Sequence, residues 1–252
     1  MDVGELLVVS ILFFVVAAIY SSVGHAGASG YAAVLAFFSF APEVMRPTSL
    51  ILNIVVGSLG LYRFHRAGLI DFKKVLPFLV TSAPAAFFSG SLNVDKRIFF
   101  VLLGLLLLFS GGRLLFRADK TVKEEDSLRR IHLPVALGAG GLIGFFSGVT
   151  GTGGAIFFTP LLLGARWAHP REASGLSVFF VLANSIFGLA GIWKGVHGIP
   201  YQMVAQWGVI VLVGAIVGTY FGISRLPEAK LKQVLGFVLL IASVKLLGRG
   251  IG

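Results

Sequence analysis

The chain contains no cysteine, so it has neither a disulfide framework nor a thiolate metal site. It is also poor in charge. Only 13% of its 252 residues are Asp, Glu, Lys or Arg, about half the share in a soluble domain. The 11 acids all lie outside the middles of the apolar segments, so no carboxylate relay of the kind many transporters use is visible. No His/Asp/Glu cluster has ligand spacing, so neither a metal nor any other cofactor is expected. Nor is any stretch polar and long enough to form a separate soluble domain. These absences exclude a soluble enzyme, a fibrous protein and a disordered chain.

Apolar surface fills the space instead. Hydrophobic residues make up 56% of the chain, and the mean hydropathy is +0.92. At roughly 20 residues per crossing, this length accommodates about ten transmembrane segments. The net charge of +10 would point to nucleic acid in a soluble chain. Here the basic residues sit between apolar runs, where they set topology and meet anionic lipid head groups, with attraction of an anionic substrate as a secondary use. No nucleic-acid partner is expected. The first apolar run, Leu6–Val23, follows Asp2 and Glu5 rather than a basic region, so it reads as a retained helix with an outward-facing N-terminus.

Breakers divide the chain into ten apolar segments: Leu6–Val23, Ala28–Ala41, Thr48–Tyr62, Val75–Leu92, Ile98–Leu115, Leu133–Val149, Ala155–Ala165, Ala173–Trp193, Met203–Ile223 and Leu231–Leu247. Eight of these can span. The second and seventh are short, which leaves open whether they cross or are re-entrant. The expected architecture is therefore an all-α polytopic membrane protein with 8–10 transmembrane segments. Residues 1–116 form a first membrane repeat, 117–131 a polar cytoplasmic linker, and 132–252 a second repeat.

The repeat rests on aligned motifs. Tyr20-Ser21-Ser22-Val23 matches Phe146-Ser147-Gly148-Val149, and Arg46-Pro-Thr-Ser matches Arg171-Glu-Ala-Ser. Gly90 falls opposite Gly222, and Arg113-Leu-Leu opposite Lys245-Leu-Leu. If all ten segments cross, 15 of the 21 basic residues share one side; if the short segments merge with their predecessors, 13 do. The positive-inside rule prefers the first arrangement. Five crossings per half make the two repeats inverted relative to each other.

The polar residues inside the apolar segments gather at two glycine-rich breaks, Ser21–Tyr31 and Ser147–Phe157. Equivalent broken segments in two inverted halves are the best sequence pointer to a transport site. Helix N-termini and hydroxyls there can bind an anion without a fixed cation. The candidate substrate-binding residues are Ser21, Ser22, Gly24, His25, Gly27 and Ser29 at the first break. At the second they are Ser147, Thr150, Gly151, Thr152 and Gly153. Asn53 and Asn184, mid-segment, are equally suited to touching substrate or joining helices. Arg46 and Arg171 can clamp a tetrahedral oxyanion or serve as interfacial anchors. His25, the titratable group within the first break, is the candidate for proton coupling; the alternative is that it hydrogen-bonds a backbone carbonyl.

This arrangement resembles the TauE/SafE family of sulfite and organosulfonate exporters over nearly the whole chain. The resemblance lies in a Gly-rich break after the first helix of each half, then a short segment, then a helix opening near an Ala/Ser/Thr-rich stretch. Many members carry an acid just before the first glycine run; here Ser21 and Ser22 stand there, and the third segment offers Asn53. The resemblance implies a non-enzymatic exporter of a small sulfur-containing oxyanion, in the multi-pass plasma membrane of a prokaryote, with a homo-oligomer left open. Two rivals stand beside it. One is a channel or facilitator for a small neutral solute. The other is an intramembrane serine protease, suggested by Gly27-Ala-Ser29-Gly30 but lacking a histidine on a facing helix.

Overall fold

The computed structural model describes residues 3–22, 26–116, 127–192, 201–222 and 228–251, which form ten α-helices and the turns between them, with no strand among them. They are α1 (Val3–Ser22), α2 (Ala28–Phe37), α3 (Pro42–Arg66), α4 (Phe72–Gly90), α5 (Lys96–Phe116), α6 (Leu133–Thr150), α7 (Ala155–Gly164), α8 (Pro170–Ile192), α9 (Tyr201–Gly222) and α10 (Glu228–Ile251). Five of them, α1, α3, α6, α8 and α9, contain a window long and apolar enough to cross a membrane. Helices α2 and α7 have ten residues each, about 15 Å or half a hydrocarbon core.

Seven of the ten helices begin earlier than the apolar runs suggest, while α2, α6 and α7 begin where expected. α3 opens at Pro42 rather than Thr48, and α8 at Pro170 rather than Ala173. A proline in the first turn needs no N–H partner and is pre-set to helical φ, so it starts a helix where hydropathy sees only a polar flank. Arg46 is consequently the fifth residue of α3 and Arg171 the second of α8, inside the helices rather than ahead of them.

The two short helices are built alike. α2 is capped at its N-terminus by Gly27 (φ 95°, ψ 5°) and α7 by Gly154 (φ 86°, ψ −3°). Each ends in a left-handed residue that is not glycine, Ser39 (φ 65°) and Arg166 (φ 56°). The next residue's N–H then bonds back into the helix, Phe40 to Leu35 O at 3.0 Å and Trp167 to Leu162 O at 2.8 Å, a Schellman-type closure in both cases.

Glycine faces set the helix directions. On α6, Gly140, Gly144 and Gly148 lie in turn against Phe78, Ser82 and Ala86 of α4, so α4 and α6 run parallel. On α9, Gly214 and Gly218 lie against Phe14 and Ala18 of α1, again parallel. α3 and α8 run antiparallel, with Leu50 against Gly188, Asn53 bonded to Ser185, and Gly57 against Leu182. α5 and α10 are also antiparallel, Gly104 meeting Leu247 and Gly111 meeting Gly236. Spacing of small residues every four positions brings backbones close where lipid supplies no hydrophobic drive to associate.

Two apolar cores result. One is drawn mainly from α1, α2, α3, α5, α9 and α10, around Phe13, Tyr31 and Trp207. The other comes from α4, α6, α7 and α8, around Phe78, Phe158 and Phe180. The polar residues of interest lie where α3, from the first group, meets α4, α6 and α8 of the second.

Candidate functional site

The second glycine break is the better-defined half of the site. α6 stops at Thr150 because Gly151 takes φ 72°, with its N–H bonded to Ser147 O at 2.8 Å. Gly153 (φ 74°) and Gly154 (φ 86°) then turn the chain into α7. Three left-handed residues within four positions demand glycine or a steric penalty. The first turn of α7 leaves N–H groups without helical acceptors. Thr150 donates to Phe146 O at 2.6 Å, and its oxygen is 2.9 Å from that of Thr152.

One face of α3 covers this turn. A β-carbon on Gly151 would lie 2.9 Å from the Cα of Arg46, and one on Gly153 would lie 3.0 Å from Nδ2 of Asn53 and 3.2 Å from Oγ of Ser185. Arg46 and Asn53 are seven residues apart, two turns on one helical stripe. Asn53 donates to Ser185 at 3.3 Å, while its Oδ1 is buried with no partner. Ser147, just 1% exposed, also has an unpartnered hydroxyl; its Cβ lies 3.6 Å from where a β-carbon of Gly154 would be. Thr48 and Ser49 are fully buried with unpartnered hydroxyls as well. Buried polar atoms left unsatisfied in a membrane interior are costly, so each of these groups calls for an explanation.

Asn184 sits elsewhere. It accepts from Ser82 of α4 at 2.6 Å, and its Nδ2 is buried and unpartnered. Neither Ser82 nor Ser185 stands out in the sequence. A lone serine in an apolar helix carries no periodic signal, and only its neighbour across the interface gives it meaning.

Arg46 is engaged. Its Nη1 donates to Leu92 O at 3.3 Å, and its Nη2 to Gly90 O and Gly148 O at 2.9 Å each and to Ser89 O at 3.4 Å. These carbonyls belong to the C-terminal ends of α4 and α6 and the residues just beyond. Their helical donors would lie past the helix ends, so the guanidinium fills vacancies at two negative dipole ends. Arg171 is exposed and makes no hydrogen bond or ion pair with the described residues. Its neighbour Glu172 pairs with Lys74 of α4 at 2.5 Å.

At the first break, Gly24 and His25 lie outside the described residues, and of Ser22 only its place at the end of α1 is described. The others are near one another. Ser29 shares a short hydrogen bond with Tyr20, and both are buried. The Ser29 hydroxyl, the candidate protease nucleophile, is therefore occupied by a phenol. Ser21 is buried and unpartnered. Tyr31, fully buried with an unpartnered hydroxyl, folds back over Gly27, where a β-carbon would stand 2.8 Å from the phenol oxygen. Aromatic composition alone gave no reason to single out Tyr20 and Tyr31. The structure thus brings Asn53, Ser147, Thr150, Gly151, Thr152 and Gly153 around one turn, while Asn184 bonds across the α4–α8 contact and Arg171 is exposed at the start of α8.

These features define a polytopic α-helical membrane protein with buried polar helix breaks, the form of a transporter. The chain belongs to the TauE/SafE family: the family model described as "Sulfite exporter TauE/SafE" matches residues 9–246. It is 32% identical over 246 residues, 96% of this chain and 98% of the relative, to a probable membrane transporter protein, y4hK, of Sinorhizobium fredii. It is 24% identical to the probable membrane transporter protein YunE of Bacillus subtilis, across 85% of this chain and 84% of that one. A probable membrane transporter of Methanocaldococcus jannaschii, MJ0441, is 29% identical across 56% of this chain and 53% of its own. No solved structure matches the chain. The protein is thus a multi-pass protein of the prokaryotic plasma membrane and a transporter by family.

Proposed function

We propose that this protein exports a small sulfur-containing oxyanion, sulfite or an organosulfonate, by alternating access between two inverted repeats. The observation that carries the reading is the α6–α7 break, where the start of α7, the unpartnered hydroxyl of Ser147 and the Nδ2 of Asn53 converge on one turn. Donors fixed in a dry site are worth more than in water and can replace part of an oxyanion's hydration shell. The description of the matching family supplies the sulfur chemistry.

Several structural parallels support the inverted repeat. α2 and α7 share both caps; α1 packs parallel to α9 as α6 does to α4; α3 and α8, in corresponding places, pack on each other antiparallel. The positive-inside rule puts the end of α3 bearing Arg46 outside and the end of α8 bearing Arg171 in the cytoplasm. His25 is proposed as the proton-coupling group. His25→Gln then flattens the pH profile of transport, and an unchanged profile removes that role.

Radiolabelled sulfite efflux and counterflow in proteoliposomes test the substrate, with methanesulfonate, taurine, acetate and a small neutral amide as competitors. The sulfur oxyanions are expected to compete and the amide not. Competition by the amide alone would establish a neutral-solute facilitator and overturn the proposal.

A further inference from the structure

We propose that Arg46 sets the sign of the site without touching the substrate: its guanidinium cancels two negative helix ends that would otherwise repel an anion from the α6–α7 break. The inference rests on the oxyanion reading above and adds the residue that makes the site selective for charge. α6 ends next to the turn that carries the site, and a helix C-terminus holds about half a negative charge. α4 ends beside it. A β-carbon on Gly148 would lie 2.9 Å from the Gly90 nitrogen and closer still to Ser89 Oγ and Ala86 O, so these parallel helices finish backbone against backbone. Together the two ends come to about one negative charge, whereas the start of α7 supplies only about half a positive one. Left alone, the break would favour a cation or a neutral solute.

Arg46 reverses that balance. Its Nη2 donates to Gly148 O and Gly90 O at 2.9 Å each and to Ser89 O at 3.4 Å, and its Nη1 to Leu92 O at 3.3 Å. Three further carbonyls at these ends have other donors. Ser147 O receives the Gly151 N–H at 2.8 Å, Phe87 O the Ser91 N–H at 3.1 Å, and Phe88 O the Ser91 hydroxyl at 2.7 Å. One guanidinium thus meets carbonyls that helix geometry leaves over at both ends. Its described partners are all carbonyls. Glu43, three residues earlier on α3, pairs instead with Lys96 at 3.3 Å. Gly148 is next to Ser147 and three residues before Gly151, so the positive charge stands within about one turn of the break. What then faces the turn is donors: the first N–H groups of α7, the unpartnered Ser147 hydroxyl and the Nδ2 of Asn53. The Arg46 Nε is buried and without a partner. Were it a ligand, lysine could not replace it, which gives the test a second arm.

Methanesulfonate and dimethyl sulfone have nearly the same tetrahedral shape but differ by one charge. Thermal-shift titration of the purified protein in detergent gives an apparent Kd for each, and their ratio is the charge preference. The parent is expected to prefer the anion about tenfold or more. Arg46→Gln should cut that preference about tenfold while moving the dimethyl sulfone Kd by no more than about threefold. Arg46→Lys, which keeps the charge and loses the fork, should retain the preference within about threefold. Leu92, 48% exposed, offers a variant that leaves the arginine in place. Leu92→Glu sets a carboxylate near the guanidinium and should lower the preference about threefold, with Leu92→Gln as its uncharged control. That pair decides the outcome if Arg46→Gln elutes as aggregate. A parent preference that none of the charge variants moves overturns the role of Arg46 and leaves the oxyanion site standing. So does equal weakening of both ligands in Arg46→Gln, which makes Arg46 a structural brace. A lysine variant as impaired as the glutamine one makes Arg46 a ligand and also overturns the inference. A parent that binds the two ligands equally overturns the oxyanion reading itself.

Discussion

Asn53 and Asn184 are the same residue type at similar depth, yet their surroundings ask different things of them. Asn53 gives one N–H to Ser185, and the same Nδ2 lies beside the Gly153 turn, where its second N–H can donate to an anion. Asn184 uses its carbonyl to receive Ser82 across the α4–α8 contact. Interhelical hydrogen bonds of this kind contribute about 0.6–1.7 kcal/mol in membranes. Ser82→Ala should therefore lower detergent thermal stability by about that amount and leave sulfite affinity within twofold. Asn53→Ala should cost no more stability, yet weaken sulfite affinity at least tenfold in a counterflow titration. If both variants behave alike, Asn53 is helix glue and the site lies elsewhere. Gly153 is less tolerant than either. A β-carbon there stands 2.7 Å from Cγ1 of Val181, on a backbone at φ 74°. The left-handed conformation costs a non-glycine residue about 1–2 kcal/mol, and overpacking adds about 1–3 kcal/mol. Gly153→Ala should lower the unfolding temperature markedly, whereas Gly138→Ala, in α6 with open space at its β-carbon, should not.

At the scale of elements, the sequence marks the breaks better than it marks the helix faces. Gly151, Gly153 and Gly154 announce a turn by their density, and all three take positive φ. The left-handed ends at Ser39 and Arg166 are invisible beforehand, because neither residue type prefers that conformation. The early starts of α3 and α8 escape a hydropathy reading, since the Pro42–Pro47 and Pro170–Glu172 stretches are polar but helical. The same limit hides the role of Arg46. Sequence fixes its repeat position but not the carbonyls of Ser89, Gly90 and Gly148 that it reaches, which belong to helix ends some 40 and 100 residues away. Ser185, Ser82, Tyr20 and Tyr31 acquire meaning only through partners on other helices or, for Tyr31, the backbone of Gly27. The packing glycines are legible as a four-residue rhythm but not as to partner. Gly140, Gly144 and Gly148 abut the α4 backbone so closely that a β-carbon at Gly144 would overlap the Ser82 carbonyl. Gly144→Val should force α4 and α6 apart and abolish folding at expression temperature. Val135→Leu, half exposed on the same helix, should be silent by yield and elution profile.

At the scale of the whole molecule, the low charge of the chain becomes a statement about sides. The arrangement of helix directions places the α3–α4 turn, near Asp71, Lys73 and Lys74, at the same end as Arg171 and Glu172, with Lys74 and Glu172 joined directly. The α4–α5 turn, near Asp95, Lys96 and Arg97, lies at the end where Arg46 reaches Leu92. Of the two, the end with Arg171 also carries Arg129 and Arg166, joined backbone to backbone at 2.9 Å, and the orientation proposed from the positive-inside rule makes that end cytoplasmic. A cysteine at Asn93 should then react with an impermeant maleimide added to intact cells, and a cysteine at Gly68 should react only after the membrane is opened. Reaction of both from outside would mean that α4 does not cross, and reaction in the reverse order would invert the molecule. Either result would also reverse or remove the sidedness proposed for Arg46 and Arg171, because both rest on the same antiparallel α3–α8 contact. The topology experiment therefore comes first: it fixes which end of α3 and of α8 faces each side before any transport rate is measured.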